Sequence, residues 1–172
     1  MSLNPLFSAI PVLIKGAGDL ASGVAACLHR AGFPVLMTEL PAPTMVRRAV
    51  SFGSAVYEGD ITVDGITARQ ATPATVEAIL DAGHIPVLVD PAAAIARRLA
   101  PAVLVDAIIA KRNTGTRLTD APLVIALGPG FTAGQDCHRV IETKRGHTLG
   151  RVIATGSAQP DTGRPGPVKG QS

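Results

Sequence analysis

The stretch Val12-Leu13-Ile14-Lys15-Gly16-Ala17-Gly18-Asp19-Leu20-Ala21 passes from a short apolar run through two glycines into a helical pattern that continues to Ala26. It reads as strand, turn and helix. In a turn of the form GxGxxG/A the first glycine makes the sharp bend, the second lets the backbone approach a pyrophosphate, and a small third residue lets the helix pack on the strand. Gly16, Gly18 and Ala21 hold those three places. A second apolar run, Pro34-Val35-Leu36-Met37-Thr38, ends in Glu39. That is about 20 residues beyond the glycines, where such folds carry the acid that binds a ribose hydroxyl. The pattern predicts a phosphate cradle for a nucleotide-like ligand; the alternative is a turn whose glycines serve packing alone. Asp19 argues against simple NAD binding, because its carboxylate favours the same positive helix end as an anionic ligand. It reads either as an N-cap or as a holder of a ligand hydroxyl or metal ion beside the phosphates.

With 172 residues, 47% of them hydrophobic, and a mean hydropathy of +0.31, the chain can build one real core, or one domain with a small annex. The net charge of +3 comes from 16 basic and 13 acidic residues that are scattered, the basic ones clustering only in pairs such as Arg47-Arg48 and Lys111-Arg112. Aromatic residues make up 3% and Trp is absent, so the stacking platforms of nucleic-acid binders are missing and nucleic acid is not an expected partner. No apolar run has membrane-spanning length. The N-terminus shows no basic region ahead of an apolar core and no small-residue cleavage site, which predicts a cytoplasmic protein. Cys27 and Cys137 are too few and too far apart for a disulfide framework, in keeping with a reducing compartment.

Beyond Glu39, Pro41-Ala42-Pro43 makes a stiff connection, and Thr44 is expected to cap a short helix through Ser51 that exposes Arg47 and Arg48. Residues 55–58 read as a third strand closing a first β-α-β-α-β half. Asp64-Gly65, between two β-branched runs, predicts a hairpin inserted into the fold. Thr72-Pro73 opens a helix that Gly83 ends. Strands are expected at 85–89 and 103–105, separated by a helix carrying Arg97 and Arg98. Unbroken apolar strands alternating with helices give an α/β fold, a Rossmann-like doubly wound and mostly parallel sheet over residues 1–110. Residues 111–158 read as a small β-rich C-terminal annex able to continue the sheet, with strands at 123–127, 140–143 and 149–154. Residues 159–172 read as a flexible tail or linker.

In a doubly wound sheet ligands lie outside the carboxyl ends of the strands. Polar residues expected there are Asp19, Glu39, Asp90, Asp106, the run Lys111-Arg112-Asn113, and the second glycine-rich loop with Gly128, Gly130 and Gly134. Asp90 before Pro91 also reads as a helix cap, and Lys111 and Arg112 either bind an anion or are solvated. The second loop offers backbone amides for an anion nest, with one donor removed by Pro129. Our expectation is that it lies beside the Gly16 turn and completes one pocket with Lys111 and Arg112; the alternative is a separate folding unit that points elsewhere. Asp136, Cys137, His138, Glu142 and His147 are metal-capable side chains without metal-ligand spacing, so no metal site is expected. No nucleophile motif is present, and adjacent Cys137 and His138 in a strand would point to opposite faces.

Taken in order, Gly16-Ala17-Gly18-Asp19-Leu20-Ala21, Met37-Thr38-Glu39-Leu40-Pro41, Ala49-Val50-Ser51-Phe52, Ala110-Lys111-Arg112-Asn113-Thr114-Gly115-Thr116, Leu127-Gly128-Pro129-Gly130-Phe131-Thr132-Ala133-Gly134 and Glu142-Thr143-Lys144-Arg145-Gly146-His147-Thr148-Leu149-Gly150-Arg151-Val152-Ile153 form a series of long motifs. Over nearly its whole length the chain resembles the accessory proteins of the selenium-dependent molybdenum hydroxylase system, the YqeB-like family. The resemblance implies a cytoplasmic bacterial protein that helps mature molybdenum hydroxylases, with the hydroxylase or cofactor-maturation proteins as partners. Members of that family are often longer, so the chain would be either a short form or a piece, and the resemblance assigns no catalytic residue. A molybdopterin-type ligand, which carries a phosphate and often a nucleotide, would suit the glycine-lined helix end as well as NAD(P) does. Two rival readings stand beside it. One is an NAD(P)-dependent oxidoreductase with Glu39 on the ribose or Arg47 and Arg48 on a 2′-phosphate, although Tyr57 is the only tyrosine and no Tyr-x-x-x-Lys pair exists. The other is a non-catalytic scaffold that docks the hydroxylase through the annex, a homo-oligomer being compatible with any of the three.

Overall fold

The computed structural model describes residues 6–160; the expected tail lies, from residue 161 on, outside the described residues. The chain runs β1 (Val12–Lys15), α1 (Asp19–Arg30), β2 (Val35–Glu39), α2 (Ala55–Glu58), β3 (Asp60–Val63), β4 (Ile66–Ala71), α3 (Val76–Asp81) and β5 (Ile85–Val89). It continues through α4 (Ala96–Leu99), β6 (Val103–Asp106), β7 (Leu123–Leu127), β8 (Thr132–Ala133), β9 (Arg139–Ile141), β10 (Val152–Ile153) and β11 (Gly156–Ser157). A nine-stranded sheet has the order β10-β9-β7-β6-β1-β2-β5-β4-β3, and β8 and β11 form a small antiparallel sheet beside it. All neighbours in the large sheet are parallel except the outermost pairs, β3 with β4 and β9 with β10. The fold is α/β with a β-rich annex.

Side chains alternate between the two faces of a strand, and here both faces are apolar. Val12, Ile14, Val35, Met37 and Val87 pack with Ala21 and Ala25 of α1 and with Phe52 and Ala55. Leu13, Leu36, Leu88, Leu104 and Val124 face the other way, against Val76, Ile79 and Leu80 of α3 and Leu99 of α4. The connection from β6 to β7 contains no helix, so Val103, Val105, Leu123 and Ile125 border, with Val24 and Leu28 of α1, an apolar cavity of about 640 Å³. The order also fixes where ligands can enter. From β1 the chain moves outward to β2 on one side and later returns to lay β6 on the other. β1 is therefore the strand at which the order reverses, where crevices open at strand carboxyl ends.

Several expectations are corrected. Residues 44–51 form no helix beyond a 3-10 turn at Arg48–Val50. Ser51 Oγ donates to the Arg47 carbonyl at 2.6 Å and Ser54 Oγ to the Arg48 carbonyl at 2.9 Å, side-chain bonds that compete with a helical ladder. Residues 55–58 are helix, not strand, and Gly59 at φ +86° ends them. Four residues are too few for periodicity to separate the two states. The hairpin supplies the missing strand instead: Asp64 and Gly65 both have positive φ, as a type I′ turn requires, and β4 pairs in parallel with β5, so it is an integral edge of the sheet. Pro73 sits in a Thr72–Thr75 turn ahead of α3 rather than at its first position, with Thr75 Oγ1 accepting the Thr72 amide at 2.9 Å. The strands expected at 140–143 and 149–154 are shorter and frame a loop in which Gly146 and Gly150 have positive φ. β7 and β9 extend the parallel sheet past β6.

Candidate functional site

The two glycines of the turn are required for different reasons. Gly16 has φ +93°, and a Cβ there would lie 3.1 Å from the Ala107 carbonyl oxygen and from Ile108 Cα. Both its conformation and the close passage of the chain after β6 demand glycine. Gly18 has φ −67° and ψ −176°, open to any residue, and a Cβ there would meet nothing within 4 Å. The fold does not need a glycine at 18. Gly18 is the N-cap of α1 and has no side chain to cap it; of the first-turn amides, that of Leu20 is taken by Asp19. Behind the turn, the Ala17 carbonyl accepts the Gly53 amide at 2.8 Å and Ser22 Oγ at 3.2 Å, and Ser22 Oγ accepts the Phe52 amide at 2.8 Å. Ala21 is fully buried against the sheet, as the third small residue of the pattern should be.

Glu39 reaches this turn from β2. One carboxylate oxygen accepts the Ala17 amide at 2.8 Å and the other its own neighbour's amide, Leu40, at 2.7 Å. Asp19 is the first residue of α1 rather than its cap; its Oδ1 accepts the Leu20 amide at 3.0 Å and its Oδ2 pairs with Arg47 Nη1 at 3.0 Å. The guanidinium thus offsets the carboxylate that would otherwise oppose an anion. Gly16, Gly18, Asp19, Ala21 and Glu39 line one cleft of about 260 Å³, closed by residues 43–46 on one side and 107–109 on the other.

A second cavity of about 210 Å³ adjoins the first, Gly16, Glu39, Leu40 and Ile108 lining both. Its other polar lining is Lys15, Thr38, Asp90 and Thr114. Asp90 Oδ2 accepts the Ile95 amide at 2.8 Å, bracing the turn into α4. Lys15, which carried no role in the sequence reading, is buried: its Nζ donates to Thr116 Oγ1 at 2.6 Å and stands 3.5 Å from Asp106 Oδ2, while Thr116 donates to the same oxygen at 2.5 Å. The available signal was a lysine ending a strand that is otherwise continuously apolar.

The remaining sequence candidates do not line these two cavities. Gly130 (φ +106°) lies under the 111–112 segment, where a Cβ would come within 2.5 Å of Arg112 N and Cα, and Gly128 (φ +77°) lies against Thr143, whose Oγ1 would be 2.7 Å from a Cβ. Gly134 (φ +89°) has open space around it. The second loop therefore touches the Lys111-Arg112 backbone, and packing accounts for two of its three glycines. Asn113 organises the turn, its Oδ1 accepting the Gly115 and Thr116 amides at 2.8 Å and its Nδ2 donating to the Thr116 carbonyl at 2.8 Å.

Of the metal-capable residues, Asp136, His138 and Glu142 brace the backbone. Asp136 Oδ2 accepts the Thr132 amide at 2.7 Å, and His138 Nδ1 accepts the Val124 amide at 2.9 Å. Burial, the largest influence, raises the Cys137 thiol above its ordinary value, the Asp136 charge adding to it. For Glu142 burial is again the largest single influence and pushes upward. Amides of Gln159, Lys144 and Thr143 together with the Arg151 charge outweigh it, and hold the carboxyl below its usual range. Its two oxygens accept Lys144 N at 2.9 Å and Gln159 N at 2.8 Å.

No helix among the described residues is long and apolar enough to cross a membrane. No family model and no solved structure matches the chain. Over 162 residues it is 55% identical to the uncharacterized protein YqeB of Escherichia coli (strain K12), a match that takes in 94% of this chain and 30% of that protein. The chain thus spans about 30% of the length of the curated relative it matches, and over nearly all of its own length it is a homologue of a segment of bacterial YqeB.

Proposed function

We propose that this chain binds a phosphorylated, nucleotide-like ligand across the Gly16–Gly18 turn, and that it does so in the maturation of molybdenum hydroxylases. The observation that carries the binding reading is the open space at Gly18. As an N-cap glycine serves, but Ser, Asn or Asp would cap α1 better; where φ is ordinary and a Cβ would clash with nothing, what singles out glycine is the room it leaves for a pyrophosphate to approach the start of α1. Glu39 at the end of β2 adds a hydroxyl acceptor, and Arg47, paired with Asp19 of the cleft, adds a cation beside it. The maturation role rests on the resemblance carried by the series of long motifs alone, and it makes a molybdopterin-type ligand the natural candidate, with the hydroxylase or cofactor-maturation proteins as partners.

The same geometry suits an adenine dinucleotide, with Glu39 on the ribose, which keeps NAD(P) as the second reading. Calorimetric titration of the protein with ADP, NAD and molybdopterin in its phosphate and nucleotide forms tests the proposal. Saturable binding of at least one nucleotide form supports it, with the molybdopterin nucleotide tightest if the maturation role holds; no binding by any of them overturns it.

A further inference from the structure

One row of side chains crosses the large sheet at the carboxyl end of β1. The strand registers place Ala71, Leu88, Thr38, Lys15, Asp106, Ala126 and Val140 side by side, on β4, β5, β2, β1, β6, β7 and β9 in turn. The flanks of the row are apolar and belong to the core. Its centre is polar, and that centre falls on β1, where the strand order reverses, and on the two strands beside it. Thr38 is 3% exposed, Lys15 6% and Asp106 1%, so a cation and an anion have been taken out of water in a layer that apolar residues fill on either side. Replacing a buried ion pair by well-packed apolar residues is often neutral or stabilising, so the stability of the sheet does not explain the charges.

The hydrogen bonds around Lys15 have a direction. Thr116 Oγ1 gives its single hydrogen to Asp106 Oδ2, so towards Lys15 it acts as acceptor. An ammonium has three hydrogens. Thr116 and Asp106 take up one side of Lys15, while the residue also lines the 210 Å³ cavity with Thr38, Glu39 and Thr114. That cavity adjoins the cleft at the glycine turn, with Gly16 and Glu39 lining both.

We propose that Lys15 is a ligand-binding residue, fixed by Asp106 and Thr116 so that it donates a charge-assisted hydrogen bond to a carbonyl or anionic oxygen on the part of the ligand beyond the pyrophosphate. The ligand is then a two-part molecule: a nucleotide portion held at the Gly18 end of the cleft, and a second portion bearing such an oxygen in the Lys15 cavity. This deepens the phosphate-cradle reading and rests on it. Both a nicotinamide and a fused pterin-like ring carry a suitable oxygen.

The test compares ADP, which fills only the first portion, with NAD and with flavin adenine dinucleotide, which carry a carboxamide and a carbonyl-bearing fused ring beyond the pyrophosphate. Titrations use the wild-type protein, Lys15→Met, and Lys15→Met/Asp106→Asn, the last so that no buried carboxylate is left without its cation. The expected result is that the wild type binds at least one dinucleotide more tightly than ADP. In a folded variant ADP affinity changes by less than about twofold while that dinucleotide loses about tenfold or more, as expected for one charge-assisted hydrogen bond. A loss for NAD alone assigns the second portion to a carboxamide, and a loss for the flavin alone to a fused ring. Dinucleotide affinity that stays at the wild-type value in the folded double variant, or an equal loss for ADP, overturns the role of Lys15 while leaving the cradle standing. A wild type that binds ADP and neither dinucleotide more tightly does the same. A wild type that binds no nucleotide removes the cradle, and the proposal with it.

Discussion

Glu39 reaches back from the end of β2 to accept the Ala17 amide at 2.8 Å, so the acid and the glycine turn form one unit. A ligand hydroxyl arriving in the cleft meets a carboxylate already fixed in place, with little side-chain freedom left to lose.

That relationship predicts sugar discrimination. A hydrogen bond to a charged acceptor contributes about 1.5–3 kcal/mol, which is about tenfold in affinity or more. Wild-type protein should bind ADP more tightly than 2′-deoxy-ADP by about that factor, and Glu39→Ala should lose the preference. Equal binding of the two nucleotides by the wild type would remove Glu39 from the site.

The Asp19–Arg47 pair predicts an electrostatic response. The two side chains are 30% and 63% exposed, so their pairing adds little to stability, and Asp19→Asn should shift the melting temperature only slightly. Freed from its partner, Arg47 should then favour the phosphates. ADP affinity should rise about threefold at low salt, fading as ionic strength shortens the Debye length, whereas Arg47→Gln should weaken binding. Weaker ADP binding by Asp19→Asn would mean instead that the carboxylate itself touches the ligand.

Glu142 predicts a stability profile in acid. Its carboxyl is held below its usual range in the folded state, so it contributes stability that is fully present above the unfolded value of about 4.3 and lost as pH falls through the lower folded value. Glu142→Gln should cost about 1–3 kcal/mol at pH 7 by urea denaturation, because the Lys144 and Gln159 amides bonded to this buried side chain lose a charged acceptor. The gap between wild type and variant should narrow below pH 4.3. A gap that is constant from pH 7 to pH 3 would show that the carboxylate charge plays no part.

Local signals carried most of the fold. The step from Val12 into Gly16 and Gly18, the Asp64-Gly65 turn, and the apolar runs of β5 and β7 each contain their own instruction, because turn chemistry and unbroken hydrophobicity act over a few residues. Where local codes are short or contested the reading failed: 55–58 fits a strand or a helix equally, and serine side chains draw 47–54 away from regular helix. Of the site, Gly16, Gly18, Ala21 and Glu39 were legible because they follow a known spacing. Lys15 and Asp106 were not read as partners, since only the register of β1 with β6 makes them neighbours, and Thr116 joins them through a bond spanning 101 residues of sequence. The close packing of Gly128 and Gly130 was hidden for the same reason, since a glycine tight against Thr143 or Arg112 looks in sequence like one that admits a ligand.

The most direct test of the central claim is Gly18→Val, followed by calorimetric titration with ADP beside a thermal melt. Because a Cβ at 18 meets nothing within 4 Å and the backbone there has an ordinary φ, the variant should fold, its melting temperature lowered only by the cost of a poorer N-cap. The added methyl groups would stand where a pyrophosphate must approach the α1 amides, so ADP affinity should fall by about thirtyfold or more. A folded Gly18→Val that binds ADP as tightly as the wild type would contradict the cradle.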